Sequence, residues 1–172
     1  MANRYFMTKS DFEQCLAEAR SSSASEQEMH LKAPLRVAWR IRSGWDGMGE
    51  SFFDELTPGQ HAVVCFSLLH GAGDFASFGA YTPNVVPQAL KAINVVGAAE
   101  YALALQQAIE AFPGKKLPIF AEDWWKVMGN KKLQAVFDDI DEKLKTGKGM
   151  SRRLCDYFYD YAMKHPADFY VE

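Results

Sequence analysis

The chain has 172 residues, of which 48% are hydrophobic and 24% charged, with 12 glycines and 7 prolines. That length suits one ordinary globular domain with a real core, and the composition excludes a collagen-like, low-complexity or wholly disordered chain. Nineteen basic against 22 acidic residues give a net charge of −3, which excludes a strongly basic nucleic-acid binder without announcing a polyanion.

Cys15, Cys65 and Cys155 are odd in number and far apart, so neither a disulfide framework nor a zinc ribbon is expected. No stretch approaches the ~20 apolar residues of a membrane span. The first ten residues carry Arg4 and Lys9 but no apolar run, unlike a secretory signal. The expected compartment is therefore the cytoplasm. Residues 61–117 hold three basic and three acidic groups; this poorly charged third is the expected core.

Ser10-Asp11-Phe12-Glu13 has the form of a capping box, and Phe12, Leu16 and Ala19 recur at helical spacing behind it, predicting a helix over 10–22. The serine-rich run 21–25 reads as a loop. Glu26 to Ala33 adds a helical turn that Pro34 closes. Leu35 to Arg42 alternates as a strand would, yet Leu35, Ala38, Trp39 and Arg42 also form a helical stripe. Helix is favoured, because a lone strand finds no partner elsewhere. Gly44, Gly47 and Gly49 then break the chain, with Trp45 among them.

Thr57-Pro58 is the cleanest helix start, with a capping hydroxyl before a proline that misses no amide donor. That helix runs through His61, Val64, Cys65, Leu68 and Leu69 to Gly71 and Gly73. A short helix follows from Asp74 to Ala80, then a turn at Tyr81-Thr82-Pro83-Asn84. Further helices are predicted from Pro87 to Gly97, from Ala98 to Phe112, over 121–128 and 131–145, and from Ser151 to His165, before a short tail at Phe169-Tyr170-Val171. No strand pair with hairpin chemistry is present. The expected fold is all-α, a single-domain multi-helix bundle over 1–172 with short connections and a core within 56–113.

Among these segments, Leu56-Thr57-Pro58, Gly73-Asp74-Phe75-Ala76-Ser77-Phe78, Ala89-Leu90, Val96-Gly97-Ala98 and Ala108-Ile109-Glu110-Ala111-Phe112-Pro113 stand in an order that resembles the bacterial DNA-mimic protein family first described in Neisseria. The resemblance spans Leu56 to Pro113. That family carries a glutamate, two asparagines and a double glycine before the phenylalanine, where this chain has Leu69-His70-Gly71-Ala72-Gly73-Asp74-Phe75. The role of those polar groups is not carried over. Gly73, Phe75 and Phe78 do match, and their expected work is a tight turn and two core rings.

The resemblance implies a non-enzymatic protein, without cofactor or metal, that occupies the DNA-binding surface of a regulator or nuclease. Duplex DNA carries one charge per about 1.7 Å of axis, so a mimic must hold its carboxylates densely. The densest run is Asp138, Asp139, Asp141 and Glu142, of which Asp138, Asp141 and Glu142 are three and four apart. Glu122 and Asp123 lie one helix earlier, and Asp156 with Asp160 form another i,i+4 pair. Lys131, Lys132, Lys143 and Lys145 flank the same run, as on an ordinary solvated face. Trp124 and Trp125 are about 100° apart on a helix, so one of them reaches a surface or groove. These ten residues are the candidate partner-binding set. An acidic face would equally serve an immunity protein or antitoxin that neutralises a basic toxin.

The competing class is an enzyme. His61 and Cys65 share a helix face, with His70, Asp74 and His30 as further candidates for a metal or a nucleophile–base pair. Val63, Val64, Phe66, Leu68 and Leu69 surround Cys65, which favours an inert thiol over an activated one.

Overall fold

The computed structural model describes residues 7–43 and 52–171. Trp45 and the glycine break at Gly44, Gly47 and Gly49 lie outside the described residues, as do the first six. Among the described residues there are nine α-helices and no strand. The chain divides into two compact units, one made of residues up to Ser67 with the stretch from Cys155 onward, the other of Leu68–Leu154. No single described helix is long and apolar enough to cross a membrane.

The first unit opens with α1 (Lys9–Ser21). Its cap is Thr8 rather than the expected Ser10: the Thr8 hydroxyl accepts from the Asp11 amide at 3.2 Å, and the Asp11 carboxylate accepts from the Thr8 amide at 3.0 Å. The same hydroxyl–three–acid spacing occurs two residues earlier than the sequence reading placed it, and the shorter aspartate closes the ring.

α2 (Glu26–Ser43) settles the strand-or-helix question in favour of helix and corrects its start. Pro34 lies inside it and does not close it. A proline there removes an intrahelical bond at a cost of about 3 kcal/mol. The ring is itself buried, in line with Val37, Ala38 and Ile41, a stripe at i, i+3, i+4 and i+7 that offsets the loss. The stripe sits one residue off the expected one, and Trp39 is thereby left 68% exposed.

α3 (Pro58–Gly71) begins behind Thr57 as the sequence implied, and Gln60 completes a capping box that the sequence reading did not include. Thr57 and Gln60 exchange bonds, amide to side-chain oxygen, at 3.2 and 3.3 Å. Gln60 also donates to the Phe169 carbonyl at 3.0 Å. Phe169 is therefore no loose tail: it is fully buried and stacks on Phe12 at 5.2 Å. Gly59 makes room for it, since a β-carbon there would come within 2.8 Å of the Phe169 ring and 2.7 Å of the Asp168 carbonyl. α9 (Leu154–Lys164) begins later than expected, because Ser151 gives its amide and hydroxyl to Glu100 at 2.8–3.1 Å instead of capping a helix.

The second unit contains α4 (Phe75–Tyr81), α5 (Val86–Val95), α6 (Ala99–Glu110), α7 (Ala121–Met128) and α8 (Lys131–Thr146). Gly73 has a φ of +82°, as the expected tight turn requires, and Phe75 and Phe78 are buried. Asp74 caps α4 by accepting from the Ser77 amide at 2.6 Å. The centre of the unit is a cluster of rings. Trp124 meets Phe75 and Phe112 edge to face, at 6.0 and 4.9 Å, and Phe137 lies within 5.7 Å of both phenylalanines. Gly79 is the seat of Trp124; a β-carbon there would stand 2.1 Å from the indole.

Candidate protein-binding face

α8 places its buried stripe at Leu133, Phe137 and Ile140. Residues a hundred degrees or more from that stripe turn to solvent, and Asp138, Asp139 and Glu142 do so. Asp141 does not: it sits beside Ile140 at the edge of the stripe and accepts from the Phe75 amide at 2.6 Å. There it satisfies a donor at the start of α4 that the helix itself leaves unpaired. Burial pushes its carboxyl above the ordinary value, with Asp74 and Asp138 adding to the rise and the Phe75 amide and Lys145 opposing it. The shared face expected of Asp138, Asp141 and Glu142 is thus split, and the solvent block consists of Asp138, Asp139 and Glu142.

Each of those three has a neighbour on its own helix or just beyond. Gln134 donates to Asp138 at 2.9 Å, Lys143 to Asp139 at 2.5 Å and Lys148 to Glu142 at 2.7 Å. Such exposed local pairs are held weakly, by about 0.5 kcal/mol, and open readily.

α7 resolves the tryptophan pair. Trp124 is the inner one, with its indole N–H on the Pro118 carbonyl at 2.9 Å. Trp125 is 49% exposed and meets Tyr81 edge to face at 6.0 Å. Asp123 holds Lys126 at 2.7 Å. Glu122 is exposed and makes no hydrogen bond or ion pair among the described residues. Tyr81 is the member that the sequence reading missed. The sequence reading takes the residue for part of a turn, and no local signal places its ring beside Trp125, since that contact is made across two helices.

Asp156 and Asp160 belong to the first unit. Asp156 is committed to His30 Nδ1 at 2.9 Å, and His30 stacks on Tyr159 at 4.1 Å. Asp160 stands 3.9 Å from Lys164. The i,i+4 pair is therefore not an open acidic pair: Asp156 faces His30, and Asp160 is only partly exposed.

In the Cys/His grouping, His61 and Cys65 share a face as their spacing implies, while the other candidates lie elsewhere. His61 Nε2 lies 3.9 Å from Cys65 Sγ, both side chains being buried, with Phe53 edge-on to the imidazole at 5.6 Å. His70 is exposed, Asp74 is the cap of α4, and His30 is bound to Asp156. Among the described residues no three His, Cys, Asp or Glu side chains are grouped to hold a metal ion.

These features define an all-helical protein whose second unit combines solvent carboxylates with an exposed aromatic pair. The chain belongs to the DMP19-like protein family, whose model matches residues 54–165. Well over half of the sequence is covered, and the match reaches past Pro113 to take in α7, α8 and α9. The family is named for DNA mimicry, and membership suggests that character for this chain. No curated protein and no solved structure matches the chain.

Proposed function

We propose that this protein is a non-enzymatic cytoplasmic inhibitor that covers the nucleic-acid-binding surface of another protein, a regulator or a nuclease. The observation that carries this reading, beside family membership, is the block of Asp138, Asp139 and Glu142 on the solvent side of α8. It spans about 6 Å of helix axis, a charge density of the order that a phosphate backbone presents. Charge complementarity of this kind steers and selects a basic partner. The pairing lysines are on flexible stems, and a partner's cations displace them at little cost.

A pull-down from the native host, run at low and high salt, supplies the partner. That partner should bind duplex DNA, and the DNA should compete with the protein for it. Binding should fall steeply as salt rises. Asp138→Lys with Glu142→Lys should abolish it while leaving the helical circular dichroism intact, since both side chains are exposed. A partner that DNA does not displace, or that binds the double variant unchanged, would sink the proposal. A second check addresses the enzyme class. Cys65 is 1% exposed, so a thiol reagent should reach it only in denaturant; rapid native labelling would point back to catalysis.

A further inference from the structure

The outer side of α7 has a composition that phosphate mimicry alone does not call for. Trp125 and Tyr81 stand edge to face in solvent, 49% and 73% exposed. Apolar rings held in water without a covering element are unfavourable for the free chain and mark contact surfaces. Glu122 lies three residues before Trp125 and so shares its helix face. Lys126, the one cation on this helix, is held by Asp123, and the charge of Glu122 acts on it without a bond. One carboxylate is thus open beside an exposed indole.

From these three side chains we infer that the Trp125–Tyr81 pair with Glu122 is a socket for an arginine side chain on the partner's nucleic-acid-binding surface. This rests on the inhibitor reading above and adds the residue type that the site selects. A guanidinium is flat and weakly hydrated, so it stacks on the indole while its N–H groups meet the carboxylate. An ammonium is compact and strongly hydrated and gains less from the ring. A phosphate or a carboxylate is repelled by Glu122, which sets the sign of the occupant. Surfaces that contact nucleic acid present arginine for the backbone and for guanine, so the socket fits the same class of partner as the carboxylates of α8.

The test uses the full chain at low salt with two labelled probes, a ten-residue polyarginine and a ten-residue polylysine, and reads the anisotropy of the label. The native protein should bind the arginine peptide about fivefold more tightly than the lysine peptide. Trp125→Ala and Tyr81→Ala should each bring the two affinities together, Trp125→Phe should keep part of the preference, and Glu122→Gln should weaken the arginine peptide more. Asp138→Asn with Asp139→Asn should lower both affinities alike and leave their ratio. Equal affinities in the native chain, or a preference that survives Trp125→Ala, would overturn the socket and leave the acidic-face reading standing. No binding of either peptide would overturn both. Sedimentation supplies the last check: a native dimer that Trp125→Ala dissociates would show that a second copy fills the patch, which also overturns the inference.

Discussion

The two units spend their charges differently. In the first, polar side chains tie one helix to another: ion pairs of Glu18 with Arg36 at 2.8 Å and Asp11 with Arg40 at 2.7 Å join α1 to α2, and the hydrogen-bond contact of Asp156 with His30 at 2.9 Å joins α9 to α2. In the second, Asp123 pairs with Lys126, Asp139 with Lys143 and Glu142 with Lys148, each on the same helix or just past its end. Both units pack rings at their centres, Phe12 on Phe169 in the first and Trp124 among phenylalanines in the second. The carboxylates that bridge two helices in the first are structural, whereas the outer carboxylates of the second hold local, exposed partners that another molecule can displace.

The largest expected effect lies in that aromatic centre. Trp124→Ala should cost about 3–5 kcal/mol in urea unfolding, while Trp125→Ala, one residue away, should cost no more than about 0.5 kcal/mol. Comparable losses at both would refute the division into an inner and an outer tryptophan. Next comes Gly59→Ala in the first unit. Its β-carbon has to displace the Phe169 ring or the Asp168 carbonyl, so about 2 kcal/mol should be lost despite the better helix propensity of alanine. An unchanged denaturation midpoint would mean that the C-terminal turn does not dock against α3.

The charge comparison itself predicts a smaller contrast. Arg40→Ala takes the guanidinium from Asp11, whose side chain is 15% exposed and keeps its Thr8 bonds, and should cost about 1 kcal/mol. Lys143→Ala in the second unit should stay within about 0.5 kcal/mol, and the reverse order would overturn the comparison. Smallest is a pH effect at Asp141. Burial raises its folded value above the ordinary 3.8, so the folded chain keeps this proton to higher pH than the unfolded chain does. The stability it contributes is full below 3.8 and is lost as pH rises through the raised value. Asp141→Asn keeps the acceptor for the Phe75 amide and removes the charge. Its stability relative to the native chain should therefore climb across that window, and parallel pH profiles would rule the effect out.

Most of the helix inventory was legible in the sequence, because Thr57-Pro58, Gly71 with Gly73, and the apolar stripes are local signals. Pro34 was misread because its usual penalty is local while its compensation, burial in the α2 stripe, is tertiary. The site was only half legible. Spacing says which side chains share a helix face, but not which way the face points, so Asp141 was grouped with Asp138 and Glu142 although it serves α4. The same gap left Trp124 and Trp125 undecided until Gly79 was seen to hold the inner ring.

The inner and outer indoles also give the molecule a built-in optical reporter. Trp124, enclosed by phenylalanines and bonded to a carbonyl, emits at shorter wavelength and is shielded from a collisional quencher such as acrylamide. Trp125 emits further to the red and is open to quenching. A ligand settling on α7 will therefore quench or shift the Trp125 share of the long-wavelength emission and spare the blue edge. The 68% exposed Trp39 also contributes at long wavelength, and a Trp39→Phe background removes that contribution. Loss of the fold moves both edges.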